Sequence, residues 1–226
     1  MWSAIVQGRA LTFHLAGIHD QNFIMRDEQT GSFWQQVSGR CISGPMKGAQ
    51  LERVHSDELY LSQLAAEAPA ATVLVGQPEH ADDYVADWEE EIAALPTVVD
   101  TRATSLPPRA LVAGVELDGH ARAYLEEELR ARPLVLDELG GTPLVLWLEG
   151  TRSLRVFDRR LDGVALRLEP AGRGEVIDAD SGSRFGFRGC ATTGPHAGRC
   201  LTPVTVLWDF WFDWYQYHPD TSVHGR

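Results

Sequence analysis

The chain has 226 residues, of which 44% are hydrophobic and 23% are charged, so it can bury a substantial core and is not disordered as a whole. Its 20 lysine and arginine residues and 32 aspartate and glutamate residues give a net charge of −12, which disfavours nucleic acid and anionic membrane surfaces as partners. No apolar run reaches the roughly 20 residues that a membrane-spanning helix needs, so an acidic, soluble globular protein without a membrane span is predicted.

Residues 1–76 are predicted to form a first unit, in which short strands precede a helix. A turn at 27–31 separates two strand-like runs and predicts a hairpin, with Gly31 supplying the positive φ that such a turn needs. The predicted elements are strands over 10–15, 23–26 and 32–37, a Gly-Pro-x-x-Gly turn at 44–48, and a closing helix containing Leu59, Leu61, Leu64 and Ala68.

Residues 77–109 are predicted to contain an acidic amphipathic helix and a linker. The helix is expected over 79–95, because apolar residues recur there on one face while most of the acidic residues lie on the other. Pro96 is expected to end the helix, and the proline-containing stretch 97–109 is interpreted as a connection. The predicted apolar face contains Tyr84, Val85, Trp88, Ile92 and Leu95.

From residue 110 the pattern returns to short strands and predicts a second, fuller unit over 110–226. Asp118 and Gly119 lie between two apolar runs, which is a strong hairpin signal. Near the end of the chain, large apolar residues recur at helical spacing and predict a closing helix with a heavily aromatic face. The predicted strands cover 111–117, 120–124, 134–137, 143–148 and 154–157, and the helical face contains Leu207, Phe210, Trp211, Trp214 and Tyr217.

The two units are related in sequence. Segments of the first unit recur in the second in the same order, at offsets that fall from 155 to 150 residues, as small deletions in loops would produce. We therefore predict a β-rich α+β fold, with two related strand-hairpin-plus-helix repeats packed together and an intervening acidic helix. The matching segments are 8–17 with 163–172, 27–32 with 178–183, and 43–48 with 193–198.

Several tracts together resemble the bacterial and archaeal family known as domain of unknown function 3179. The resemblance covers residues 1–76 and 110–226. It implies an architecture for the chain, and it implies no particular activity. The tracts that carry it are 113–124, 140–145, 156–163, 11–17, 27–34, 39–48 and 218–221.

The chain departs from the family pattern at two places. Where the family carries a Cys-Pro-Leu-Cys-Gly-like element, residues 147–150 read Trp-Leu-Glu-Gly, and an upstream Trp-His-Glu tract is replaced by Arg-Ala-Arg-Pro at 130–133. The first unit begins only after the position of that cysteine element. The resemblance therefore implies a divergent member, and we expect a non-catalytic binding or assembly module. The alternative is a metal-dependent enzyme with redox or hydrolytic activity.

The metal alternative is based on four residues of the first unit. His14, His19 and Asp20 lie at a strand end and its loop, and His55 follows the Gly-Pro-x-x-Gly turn. Imidazole and carboxylate ligands suit zinc, copper or iron, so these four residues are the candidate metal site. The competing interpretation is that they are polar surface residues, because no His-x-His or His-x-x-x-His pair defines the geometry locally.

The aromatic closing helix indicates a second kind of site. Its aromatic residues occupy more than one face, so we expect a contact surface beyond the core, for a second subunit or a partner protein. Core packing alone and a platform for a flat apolar ligand are the alternatives. A first unit that lacks strands is also expected to leave an unpaired edge. The candidate surface contains Trp208, Trp211, Trp214 and Tyr215.

The cysteines and the first residues bear on the cellular compartment. Cys190 and Cys200 leave two alternatives, a bond across a hairpin or free and mostly buried thiols. The first residues contain no basic segment followed by an apolar one, so the chain as given is expected in the cytoplasm. A leader upstream of Met1 would instead make it an exported protein.

Overall fold

The computed structural model describes residues 1–83, 85–97, 106–172 and 174–226. Strands predominate in these ranges, and the strands form several separate sheets alongside short α-helices, so the β-rich α+β class is confirmed. Within the same ranges, no helix combines the length and the apolar character that crossing a membrane requires.

The first unit contains a four-stranded antiparallel sheet, and a long loop leads from its last strand to a helix. Its strands follow one another along the chain and across the sheet, as in a meander, with the first strand at an open edge. The elements are β1 (Ile5–Val6), β2 (Arg9–Ala10), β3 (Phe13–His19), β4 (Asn22–Asp27), β5 (Phe33–Gln35), β6 (Cys41–Ser43) and α1 (Leu61–Glu67).

The prediction of one continuous helix over 79–95 is wrong. A 3₁₀ helix at Pro78–Asp83 and the helix α2 at Trp88–Ala94 occupy this region as separate short elements. Trp88 is 57% exposed, so the apolar face is not packed against the core that would stabilise a longer helix. Tyr84 of that face and residues 98–105 of the predicted linker lie outside the described residues.

The second unit contains three four-stranded sheets. The predicted strands and the hairpin at Asp118 and Gly119 are present. The elements are β7 (Leu111–Leu117), β8 (His120–Leu125), α3 (Glu126–Ala131), β9 (Leu134–Leu139), β10 (Thr142–Glu149), β11 (Ser153–Asp158), β12 (Arg160–Leu161), β13 (Val164–Ala165), β14 (Leu168–Gly172), β15 (Glu175–Asp178), β16 (Arg184–Gly186), β17 (Ala191–Thr193), β18 (Thr202–Val204), β19 (Val206–Phe210), α4 (Trp211–Tyr217) and β20 (Ser222–Val223).

The closing helix of the second unit starts later than the spacing predicts. Leu207 and Phe210 belong to strand β19, which pairs antiparallel with β7, and the helix begins only at Trp211. An apolar run at helical spacing and a buried strand that continues directly into a helix give the same pattern of apolar residues. Periodicity alone therefore does not locate the boundary between the strand and the helix.

The main core lies between two sheets of the second unit. One has the strand order β18-β11-β10-β9 and the other has the order β19-β7-β8-β20. Buried apolar side chains from the facing strands fill the space between them, as in a sandwich of two sheets. These side chains include Val115 and Tyr124 on one sheet and Leu144, Leu146 and Val156 on the other.

The sheet β3-β4-β5-β6 (the first hairpin sheet) and the sheet β14-β15-β16-β17 (the second hairpin sheet) agree in strand order and in register. In β3 the pairing shifts between Leu15 and Gly17, and in β14 it shifts between Pro170 and Gly172, which is the same place at an offset of 155 residues. Helices α1 and α4 also coincide in length at an offset of 150 residues.

The Gly-Pro turns have like surroundings in the two units. A Cβ atom on Gly44 would lie 2.7 Å from Ser32 Cα, and one on Gly194 would lie 2.6 Å from Ser183 Cα. Both glycines also have positive φ values, of 97° and 86°. Any side chain would therefore strain the backbone and collide with it, which explains why glycine occupies both positions.

Cys190 and Cys200 form a disulfide bond at the base of the second Gly-Pro turn. The matching positions of the first unit, Arg40 and Gln50, face each other in an isolated β-bridge without a covalent link. Cys41 is buried and has no sulfur partner. The structure therefore contains the bonded alternative for Cys190 and Cys200.

Replacing both Cys190 and Cys200 with serine is expected to lower the free energy of unfolding by about 2–3 kcal/mol, because the bond closes a loop of roughly ten residues in the unfolded chain. Urea denaturation under oxidising conditions measures the loss. The wild-type protein in excess dithiothreitol should unfold at the same urea concentration as the double variant. A wild-type midpoint that is unchanged by the reductant would contradict the expectation.

Candidate functional site

A cavity of about 370 Å³ lies where the first unit meets strand β19 and helix α4. Its wall includes a group of acidic residues and a group of tryptophans. The acidic residues are Asp57, Glu58, Glu116, Asp209 and Asp213, and the tryptophans are Trp2, Trp208 and Trp214.

Asp209 and Asp213 form a carboxyl pair at this cavity. Strand β19 continues directly into helix α4, and the extended backbone of Phe210 precedes the helix. Asp209 at the end of the strand and Asp213 in the first turn of the helix therefore lie on the same cavity wall. The carboxyl of Asp209 accepts a hydrogen bond from the backbone N–H of Phe210 at 2.8 Å and shares another with Asp213. The amide of Asn22 donates to both carboxylate oxygens of Asp213 at 2.7 Å.

This carboxyl pair holds a proton more tightly than isolated aspartates do. Burial raises the pKa of Asp209 well above its usual value, and the negative charge of Asp213 raises it further. Burial also raises the pKa of Asp213, against the opposing effect of the Asn22 hydrogen bonds. Burial therefore favours the protonated form of both carboxyls, and the pair titrates as one coupled unit.

Positive groups on the same wall are already engaged. The Arg53 guanidinium lies 3.2 Å from the Glu116 carboxylate and sits over the Trp2 ring at 5.0 Å. The ring of His218 lies 4.0 Å from the ring of Trp214, and burial lowers the pKa of this histidine, which favours its neutral form. The cavity wall is therefore acidic on balance.

The four predicted metal ligands do not come together. His14 pairs across the sheet with Arg26, His19 lies 3.2 Å from Asp20, and His55 lies 3.2 Å from Asp57. Over the described ranges, no group of three or more histidine, cysteine, aspartate or glutamate residues has a geometry that could hold a metal ion. Metal binding by these residues stays a prediction.

The residues of the predicted contact surface lie mostly in the core. Trp211 and Trp214 are buried against β7 and β8, Trp208 is buried at the edge of the main core, and Tyr215 is half-buried. Trp208 and Trp214 also line the cavity. A ligand in the cavity could reach those two side chains, whereas a flat partner surface could not.

Asn22, Asp209 and Asp213 are not among the site residues predicted from the sequence. Asp209 and Asp213 did carry a signal, because they are two acidic residues embedded in a run of tryptophan and phenylalanine over 208–214. Acidic residues in such a run are rarely buried without a partner. Asn22 carries no comparable signal, since its contact with Asp213 spans 191 residues of chain.

A family model described as "Protein of unknown function (DUF3179)" matches residues 1–221. The chain belongs to the DUF3179 family. Neither a curated protein nor a solved structure matches this DUF3179 chain. Membership of this family therefore implies no particular activity, and the cavity geometry is the basis for a functional proposal.

Proposed function

We propose that this DUF3179 chain is a non-catalytic binding module whose cavity takes a small organic cation. The observation that carries the proposal is the buried Asp209–Asp213 pair on the cavity wall. A buried carboxyl pair with one shared proton still carries one negative charge, and an ammonium group that displaces this proton gives both carboxylates a charged hydrogen-bond donor.

The tryptophans support an organic cation rather than a bare metal ion. Indole faces attract ammonium groups, and cages of aromatic and acidic side chains are a recurrent way to bind them. Trp2, Trp208 and Trp214 line the same cavity as the carboxyl pair, and Trp208 and Trp214 are largely buried in its wall. The Arg53 guanidinium over Trp2 is an example of the same interaction within this chain.

We also propose that the chain is a duplication, with a first unit over 1–76, a connection over 77–109 and a second unit over 110–226. The common register of β3 and β14 and the like surroundings of Gly44 and Gly194 support this. The cavity then lies at the junction of the two copies, which is a common place for a ligand site.

The disulfide favours the exported alternative for the location of the protein. Disulfides form and persist mainly in oxidising compartments, and Cys200 is exposed to solvent reductants. We infer from this bond that the protein folds outside the reducing cytoplasm.

The ligand proposal is tested with cations and their neutral isosteres. Putrescine is paired with butane-1,4-diol and choline with 3,3-dimethylbutanol, and binding is measured by calorimetry and thermal shift. At least one of the cations is expected to bind, and its isostere is not. Asp209→Asn and Asp213→Asn are each expected to weaken binding about tenfold or more, whereas Asp180→Asn, with an exposed side chain in the second hairpin sheet, should bind as the wild type does.

The pH dependence gives an independent measurement. Cation binding displaces the shared proton, so affinity is expected to rise as the pH increases above the ordinary aspartate pKa in the wild type and to change less in Asp209→Asn. Without ligand, a raised folded-state pKa means that stability falls as pH rises above the unfolded value, and Asp209→Asn should remove that decline. Equal binding of cations and isosteres, or unchanged affinity in both variants, would overturn the proposal.

A metal-dependent enzyme is the second candidate. The observation that favours it is the imidazole of His55 beside the Asp57 carboxylate, since Asp57 also lines the cavity. Elemental analysis separates the two candidates. Stoichiometric zinc, copper or iron that is lost in the double variant His19→Ala, His55→Ala would favour the enzyme over the cation-binding module.

A further inference from the structure

The outer edge of strand β3 is open. In the part of the chain that the structure describes, β4 is its only partner strand. Six of its seven residues are exposed, including Leu15 at 60% and Ile18 at 67%. Phe23 pairs with Ile18 from β4 and is itself 44% exposed, so the open edge continues into an apolar patch. Long apolar edge strands of this kind are templates for pairing with another chain.

The matching strand of the second hairpin sheet is protected. Strand β14 has the same register against its neighbour, and Glu169 and Pro170 occupy the positions that His14 and Leu15 have in β3. A charge and a proline are the two usual means of blocking an edge strand. Pro170 has no N–H, yet it still pairs with Val176 of β15. The backbone N–H at the matching position, Leu15, is therefore not needed for pairing with β4 and can donate to an outer strand.

We propose that β3 pairs antiparallel with β3 of a second copy of this chain, which joins two four-stranded sheets into one continuous sheet. Two molecules of charge −12 repel each other, and close approach is easiest across a segment without acidic residues. Strand β3 is such a segment, since it has no aspartate, glutamate, lysine or arginine from Phe13 to His19.

The strand is also self-complementary about a two-fold axis. Antiparallel pairing about a two-fold axis at the middle of β3 places only residues without carboxylate, ammonium or guanidinium groups opposite one another, with the bulge between Leu15 and Gly17 at the centre of the seam. No ionised side chains of like sign then face each other, and the exposed Leu15 and Ile18 lose contact with water. This dimer is independent of the cavity ligand.

The oligomeric state in solution tests the proposal. Sedimentation velocity of the full chain up to about 100 µM is expected to show a dimer. Ile18→Lys and Leu15→Pro are each expected to weaken it about tenfold or more, the second by copying the residue that β14 carries. Val164→Lys, at a side chain 65% exposed in the second unit, is the matched control and should leave the dimer intact.

Circular dichroism identifies any variant that fails to fold, and Ile18→Lys decides the question if Leu15→Pro is one of them. Hydrogen exchange on the wild type provides a readout without mutation, since amides of residues 13–19 should become more protected as protein concentration rises. A wild-type monomer at about 100 µM, or a dimer that persists in folded Ile18→Lys, would overturn the proposal.

Discussion

Replacing Arg155 with alanine is expected to destabilise the protein by about 3 kcal/mol or more. Arg155 is buried on β11, and its guanidinium donates hydrogen bonds to Asp57 at 2.7 Å and to both carboxylate oxygens of Glu67 at 2.8 and 2.9 Å. These bonds join helix α1 and the loop before it, in the first unit, to the sheet β18-β11-β10-β9 of the second unit. Without the arginine, Asp57 and Glu67 lose their guanidinium partner in a partly buried region.

Urea denaturation at neutral pH measures this loss, and Arg130→Ala is the matched control. Arg130 forms an exposed pair with Glu126 within helix α3, and its removal should change the free energy of unfolding by less than about 0.5 kcal/mol. Equal effects of the two substitutions would contradict the assignment of Arg155 as a buried link.

The Arg155 effect should depend on pH with a definite sign. Burial acts to raise the pKa of Glu67, but the hydrogen bonds from Arg155 and Gln63, together with the charges of Arg155 and Arg188, outweigh it and hold the pKa below its usual value. A carboxyl with a lowered folded-state pKa adds stability that is present above its unfolded pKa and lost as pH falls through the folded one. The stability difference between wild type and Arg155→Ala should therefore shrink below about pH 4.

Trp34→Ala is expected to cost about 4 kcal/mol, because it empties the core of the first unit. The Trp34 side chain is fully buried, packs edge-on against Phe13 at 5.8 Å and donates a hydrogen bond to the buried Asp27 carboxylate at 2.8 Å. Phe185 is also fully buried at the matching position of the second hairpin sheet, so Phe185→Ala should cost a similar amount.

Thermal and urea denaturation of these variants measure the two cores separately. Trp88→Ala is the control, since this tryptophan is largely exposed and its loss should change stability by less than about 0.5 kcal/mol. A Trp34→Ala variant as stable as Trp88→Ala would show that the first unit adds little to the folded state.

Turns and hairpins could be predicted from the sequence because their causes are local. The Asp27 carboxylate accepts a hydrogen bond from the backbone N–H of Thr30, and Gly31 has a positive φ, so a few adjacent residues define the turn. The same holds for the hairpin at Asp118 and Gly119.

Elements whose stability depends on distant packing could not be predicted. The helix predicted over 79–95 had a suitable pattern, but Trp88 packs against too little of the protein to extend it. The carboxyl pair at Asp209 and Asp213 acquires its character only from burial and from Asn22 in the other unit. No local pattern records a contact of that kind.

The contact between Asn22 and Asp213 also constrains the order of events during folding. It closes a loop of 191 residues, so it has one of the largest sequence separations in the chain, and contacts of this type form late. During synthesis, the first hairpin sheet can form long before its polar partner on α4 leaves the ribosome. Competence to bind a ligand in the cavity would therefore arise only at the end of folding, and it would distinguish a complete molecule from a nascent one.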